Sequence, residues 1–332
     1  MPLYACTIFL SAFLLFLVQP IVAKEILPWF GGSAAVWTTC LVFFQSALLA
    51  GYAYADLLVR RIPARHAIAV HVGLLAVAVA LLPIVPAAHW KPLGTENPFG
   101  LILGLLAATI GLPFFVLATT SPLLQAWLAR RYAGRSPYRL FALSNAASLL
   151  ALIGYPLLIE PWIATRVQAV AWSWLFAGFA LLCAASAWTT LRALPMDAGT
   201  QPIAPSTASA IRREPPPSRA RQWLWVALAA TGSLLLLAVT NHLTENVAAV
   251  PLLWVVPLSI YLLTFILCFD SERWYPRAWV FIAAAALLGA MAWTVADDRV
   301  THELALQFGV FVAGLFVACM FCHGELASLK PS

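Results

Sequence analysis

Side chains that could bind a ligand lie at the ends of long apolar segments. They are, in chain order, Gln19, Lys24, Glu25, Glu160, Asn241, His242, Glu245 and Asn246. Polar and ionised groups are costly in a bilayer, so each is a candidate for function. Carboxylates beside amide donors suit a cationic amine, and we predict that these groups face one another as a substrate-binding cluster. The alternative, ordinary polar residues at the membrane interface, stays open.

A second group of charges suggests a conformational latch. Asp56 ends the second apolar segment and is followed by Arg60 and Arg61. Asp270 ends the eighth segment and is likewise followed by two basic residues, Arg273 and Arg277. Basic residues at a helix C-terminus are favoured by the helix dipole. Breaking such pairs would let one half of the molecule rock against the other. A cluster that only anchors the helix ends is the alternative.

Two further patterns point to structural roles. The first is a set of isolated polar residues within apolar runs, namely His71, Asn145 and Ser148, where we expect hydrogen bonding between helices. A proton relay at His71 is the alternative.

The second pattern is C-x-x-C-H at residues 319–323, which is the pattern of covalent haem attachment. That chemistry belongs outside the membrane, and this copy lies at a predicted inner helix end. We therefore expect no cofactor, no metal site and no catalytic residue.

The elements that position these residues are predicted to be membrane helices. Hydrophobic residues make up 63% of the chain and charged residues 10%, against about 25% charged in soluble domains. Segments of about 20 apolar residues can cross a bilayer, and there only helices satisfy their own backbone. Ten segments qualify: roughly 4–23, 34–57, 67–87, 99–128, 139–159, 167–190, 222–242, 250–269, 278–296 and 303–322. We expect an all-α bundle that binds lipid and not nucleic acid. Pro113 and Pro122 interrupt the overlong fourth segment, which predicts a kink or an interfacial extension there.

The charges between segments predict the orientation. With the N-terminus inside, the inner segments carry fifteen Lys and Arg residues and the outer segments four. Basic residues accumulate on the cytoplasmic side, so both termini are predicted to be cytoplasmic. The first segment has no basic residue before it and a poor cleavage site, so we interpret it as a retained helix. The expected location is a bacterial inner membrane, crossed several times.

One long polar interruption divides the chain. Residues 191–221 are rich in proline, serine and arginine and are typical of a cytoplasmic linker. The predicted domains are a six-helix bundle at 1–190 and a four-helix bundle at 222–332.

Five stretches, spread from residue 13 to residue 331, carry a resemblance to a known family. They are FLLFLVQPIVAKEILPWFGGSAAVWTTCLVFFQSALLAGYAYAD, ATTSPLLQAWLARR, SPYRLFALSNAASLLALIGYPLLIEP, TNHLTENVAAVPLLWVVPLSIYLLTFILCFD and CHGELASLKP. Together they resemble the membrane domain of bacterial proteins that fuse a major-facilitator-like bundle to a spermidine-synthase-like domain. The stretch GYAYADLLVRR also resembles the facilitator loop between helices two and three, although Val59 stands where that motif has glycine.

The resemblance implies two further helices and a cytosolic aminopropyltransferase-like domain, whereas this chain stops at Ser332. Whether the chain is an enzyme is left open, since it contains no recognisable catalytic domain. The leading hypothesis is a membrane module that binds or transports a small cationic metabolite such as a polyamine. The alternatives are a non-transporting anchor or sensor for an aminopropyltransferase-like partner, and a truncated fragment without activity of its own.

Overall fold

The chain folds into helices. A computed structural model describes residues 1–31, 34–92, 97–131, 138–193, 218–246, 253–297 and 303–329. Every secondary-structure element assigned in these ranges is a helix. The α-helices are α1 (Pro2–Phe30), α2 (Ala34–Arg61), α3 (Ala64–Ala80), α4 (Pro98–Leu106), α5 (Leu112–Arg131), α6 (Tyr138–Gly154), α7 (Thr165–Ala193), α8 (Arg219–Asn246), α9 (Val255–Asp270), α10 (Arg277–Ala296) and α11 (Leu304–Ser328). The all-α prediction is confirmed for these ranges.

Eight helical segments within the described ranges are long and apolar enough to cross a membrane. The third and eighth predicted segments correspond to the shorter helices α3 and α9, of 17 and 16 residues. At 1.5 Å per residue these helices reach about 25 Å, slightly less than a hydrocarbon core of about 30 Å. The third predicted segment runs to residue 87, but α3 ends at Ala80 because Pro83 disfavours helical backbone just before it. The count of ten crossings stays a prediction.

Two π-helical turns interrupt the long helices next to prolines. Ala107–Gly111 joins α4 to α5 just before Pro113, and Tyr155–Ile159 follows α6 and contains Pro156. Proline cannot donate to the carbonyl four residues before it, and a π-turn is one way to pair that carbonyl differently. The predicted interruption at Pro113 therefore takes the form of a π-turn, whereas Pro122 lies inside a continuous α5.

Met1–Ser209 and Ala210–Ser332 form two compact units. In the first unit, α1 is central and packs against α5, α6 and α7. Its contact with α7 contains hydrogen bonds: Tyr4 Oη lies 2.7 Å from Thr190 Oγ1, and Trp172 Nε1 donates to the Leu14 carbonyl at 2.9 Å. These two hydrogen bonds join α1 to α7 at two separate positions along the helices.

In the second unit, α11 packs against α8, α9 and α10. Two glycines permit this close approach. A Cβ atom on Gly314 would overlap the side chain of Met291, and one on Gly324 would overlap the ring of Tyr275. A larger residue at Gly314 would require the flexible Met291 side chain to move, and one at Gly324 would require the Tyr275 ring to move.

Large apolar side chains are exposed on the outside of the helices. Trp174 and Trp279 are each 75% exposed, and Leu181 is 73% exposed. A soluble protein rarely presents apolar surface on this scale, whereas lipid chains solvate it well. The solvent of these helices is a lipid bilayer.

The predicted linker differs from the structure at its edges. α7 continues to Ala193 and α8 begins at Arg219, so both ends of the interval 191–221 are helical. Residues 194–217 lie outside the described ranges.

Candidate functional site

An ion pair joins two of the predicted binding residues in the first unit. Lys24 projects from the second half of α1, and Glu160 follows directly after the π-turn Tyr155–Ile159. Lys24 Nζ donates to Glu160 Oε1 at 2.7 Å, with the two side chains 39% and 32% exposed. The structure therefore brings together residues that are 136 positions apart in the chain. The pair lies at the edge of the unit, where a solute could reach it.

Glu25 is the next residue along α1 and is half-buried. No ion pair forms between Glu25 and any other residue in the described ranges. We call Lys24, Glu25 and Glu160 the Lys24 cluster, in which the Lys24–Glu160 ion pair is the contact and Glu25 is the neighbour of Lys24 in sequence. The formal charges of one ammonium and two carboxylates sum to −1. Such a group has the electrostatic balance to hold one additional positive charge.

The loop that carries Glu160 is held by hydrogen bonds. Gln168, buried near the start of α7, donates from Nε2 to the Ile163 carbonyl at 2.6 Å, and the Ile163 amide donates to the Ile159 carbonyl at 3.0 Å. Glu160 itself donates its amide to the Tyr155 carbonyl at 2.8 Å. The sequence analysis missed Gln168, although an amide inside an apolar helix start was a usable signal. These contacts fix the position of the carboxylate.

Two other atoms near this end remain without a protein partner. The Tyr155 hydroxyl and the Gln168 Oε1 are buried, and neither forms a hydrogen bond with a residue in the described ranges. Gln19, also predicted for the site, donates from Nε2 to the Leu15 carbonyl of its own helix at 3.3 Å. Gln19 is thus engaged with the backbone of α1.

The predicted partners in the second unit lie at the end of α8. Asn241 is exposed, and the His242 ring stacks on Phe311 at 4.0 Å between centroids. The side chains of Glu245 and Asn246 lie outside the described part of the chain. That these groups face the Lys24 cluster stays a prediction.

The latch residues are placed as follows. Asp56 pairs with Arg60 at 2.5 Å within α2, and both side chains are well exposed. Arg61 and Asp270 are exposed at the ends of α2 and α9. An exposed pair four residues apart on one helix contributes only about 0.3–0.5 kcal/mol. The latch role remains a prediction.

A second charged junction was missed by the sequence analysis. Arg277, a basic residue that follows Asp270 as Arg60 follows Asp56, binds Glu325 through its guanidinium, with Nε and Nη2 at 2.6 and 3.2 Å from the two carboxylate oxygens. The Tyr275 hydroxyl donates to the same carboxylate at 2.7 Å. Burial, with the hydrogen bond and charge of Glu325, raises the pKa of Tyr275 above its usual range. This junction clamps the end of α11 to the start of α10.

The C-x-x-C-H residues are packed inside the second unit. Cys319, Cys322 and His323 are buried, and His323 Nδ1 lies 2.9 Å from Thr264 Oγ1 while its ring stacks on Phe265. They link α11 to α9.

Hydrogen bonds between helices do not come from the residues predicted to form them. Asn145 donates to the Phe141 carbonyl and Ser148 to the Ser144 carbonyl, both within α6. Among the parts of the chain described, hydrogen bonds between helices come instead from the α1–α7 contact and from Thr264 and His323 between α9 and α11.

Comparison with known proteins adds no assignment. No protein-family model and no curated protein matches this chain.

Proposed function

We propose that this chain is a membrane module that binds a small cationic metabolite at the Lys24 cluster and moves it across the bilayer. The observation that supports this most strongly is the Lys24–Glu160 ion pair next to Glu25, which forms no ion pair with any residue that the structure describes. A primary ammonium on the solute has the same hydrogen-bonding chemistry as Lys24 Nζ. It can therefore replace Lys24 at Glu160 while a second contact forms at Glu25.

The proposed exchange uses Lys24 as an internal counter-ion. Without a solute, Lys24 neutralises Glu160 and avoids an isolated charge at the edge of the bilayer. With a solute, the displaced Lys24 remains half-exposed and is solvated by water. The loop held by Gln168 keeps Glu160 in place during the exchange, so little ordering of the site is required.

The proposed substrate class is a polyamine. This part rests on the resemblance to the facilitator-like half of spermidine-synthase-like fusion proteins and on the chemistry of two carboxylates, which suits a molecule with more than one ammonium group. We further propose ten crossings in a facilitator-like plan, with α3 and α9 as the short ones, in a bacterial inner membrane. The fifteen-to-four distribution of basic residues supports cytoplasmic termini.

The test is binding and uptake of radiolabelled spermidine by the full chain reconstituted in liposomes. Glu160→Gln removes one carboxylate of the cluster, and Glu272→Gln removes an exposed carboxylate of the second unit as the matched control. A charge-assisted hydrogen bond contributes about 1.5–3 kcal/mol, so Glu160→Gln should weaken binding by roughly tenfold or more. The control should bind as the wild type does.

Two results would count against the proposal. Equal binding by both variants would show that Glu160 is not part of the site, and uptake no higher than in empty vesicles would remove the transport function. Binding without uptake would favour the sensor or anchor interpretation.

A further inference from the structure

Three aromatic side chains with polar atoms meet inside the first unit, away from the Lys24 cluster. They are Tyr54 of α2, His71 of α3 and Trp127 of α5. The His71 ring lies 6.3 Å from the Tyr54 ring and 6.1 Å from the Trp127 ring, centroid to centroid. His71 and Trp127 are each 1% exposed. We call these three residues the aromatic triad.

Every polar side-chain atom of the triad lacks a hydrogen-bond partner among the residues that the structure describes. The Tyr54 hydroxyl, both nitrogens of His71 and the Trp127 indole nitrogen are buried and make no hydrogen bond within the described ranges. An unsatisfied buried polar group costs about 1–3 kcal/mol, and buried polar groups in folded proteins nearly always have a partner. Four such atoms on adjacent rings therefore call for a partner other than the side chains that the structure describes in this unit.

The chemistry of the triad identifies that partner. A neutral imidazole offers one donor and one acceptor, a phenol offers both, and an indole offers one donor. These donors and acceptors require a ligand that can both donate and accept hydrogen bonds. Among the described residues, the ion pairs and cation–π contacts do not involve the three rings, and Asp56, the nearest charged residue of α2 in sequence, is exposed and paired with Arg60. Water is a small neutral molecule that donates and accepts hydrogen bonds, so it fits this set of groups without a counter-charge.

The triad lies a short distance from the turn between α2 and α3. Tyr54 lies seven residues before the end of α2 at Arg61, and His71 lies seven residues after the start of α3 at Ala64. At 1.5 Å per residue both are about 10 Å from the turn that joins these helices. Exposed polar groups, including Arg60 and His66, surround that turn.

We infer that Tyr54, His71 and Trp127 enclose an internal hydration site, in which water bridges the three side chains and gives the imidazole a route for proton exchange. The site is independent of the cation-binding proposal, because it lies on other helices of the unit and uses no carboxylate.

The first unit contains a matched control for this inference. Trp172 is buried to the same extent as Trp127, at 1% exposure, but its indole N–H donates to the Leu14 carbonyl. One indole is therefore expected to contact water and the other to contact only protein.

The experiment is water-edited solid-state NMR on the full chain, labelled with ¹⁵N-tryptophan, in lipid nanodiscs. Trp127→Phe and Trp172→Phe assign the two indole signals. Magnetisation from water should reach the Trp127 N–H at least severalfold faster than the Trp172 N–H. Transfer to Trp127 that is as slow as transfer to Trp172 would overturn the inference.

A second variant tests the bridge itself and does not depend on removing either tryptophan. His71→Leu takes away two of the four polar atoms, so transfer to Trp127 should slow by half or more while transfer to Trp172 stays constant. Unchanged transfer to Trp127 in a folded His71→Leu chain would show that the imidazole holds no water.

Discussion

The close contact between α2 and α5 at Gly51 makes a quantitative prediction. A Cβ atom on Gly51 would lie 2.8 Å from the Ala118 Cβ and 3.4 Å from the Phe115 carbonyl oxygen. Ordinary contact begins near 3.4 Å, so Gly51→Ala forces the two helices apart by about 0.6 Å or more. Overpacking of this kind costs about 1–3 kcal/mol, whereas alanine gains up to about 1 kcal/mol in helix propensity.

A double-mutant cycle isolates the clash from the propensity. Gly51→Ala, Ala118→Gly and the double variant are compared by reversible unfolding in mixed lipid–detergent micelles. The propensity changes cancel in the cycle, so the coupling free energy should be about 1–3 kcal/mol in favour of the double variant. Gly73→Ala on α3 is the control, because no atom lies within 4 Å of the added Cβ. It should be neutral or slightly stabilising.

The reasoning would be refuted by a coupling energy near zero. It would also be refuted if Gly51→Ala and Gly73→Ala changed the free energy of unfolding equally. The contact with Ala118 would then have no energetic effect.

Three further predictions follow from the hydrogen bonds. The raised pKa of Tyr275 means that the fold favours its neutral form, so its contribution to stability is complete below the unfolded pKa of about 10 and declines as pH rises further. Tyr275→Phe should remove this decline above about pH 10, and an unchanged pH profile would contradict it. Tyr4→Phe and Thr190→Val should each cost about 0.5–1.5 kcal/mol, and the double variant should cost less than their sum; strict additivity in the same unfolding assay would disprove the 2.7 Å contact. Asp56→Asn should change stability by under about 0.5 kcal/mol because its pair with Arg60 is exposed and lies within one helix; a loss above 1 kcal/mol would point to a partner elsewhere.

The helices were predictable because a bilayer imposes a simple rule on length and polarity. The runs around α1, α7 and α11 are long and apolar, and each is one helix. Helix ends and interruptions were less predictable. The effect of Pro83 on α3 follows from local chemistry, but nothing in the residues around Pro113 distinguishes a π-turn from a simple kink.

The contacts of the candidate site depended on packing. Lys24 and Glu160 were placed in one cluster because both end predicted segments on the same side, yet only the position of α1 beside the end of α6 brings them to 2.7 Å. The Glu325 junction was missed because Arg277 was considered only with the charges near Asp270, whereas its partner lies 48 residues further along the chain. Tyr54, His71 and Trp127 come from three helices, so no local pattern joins them.

The most direct test of the central claim is the effect of Lys24 on cation affinity. If Lys24 is a counter-ion that the solute displaces, Lys24→Met removes a competitor for Glu160. An exchange of this kind involves a part-exposed pair worth up to about 1 kcal/mol, so Lys24→Met should tighten spermidine binding by up to about fivefold. Glu160→Gln should weaken it. Weaker binding in Lys24→Met as well as in Glu160→Gln would contradict the account, because the ion pair would then only hold the structure together.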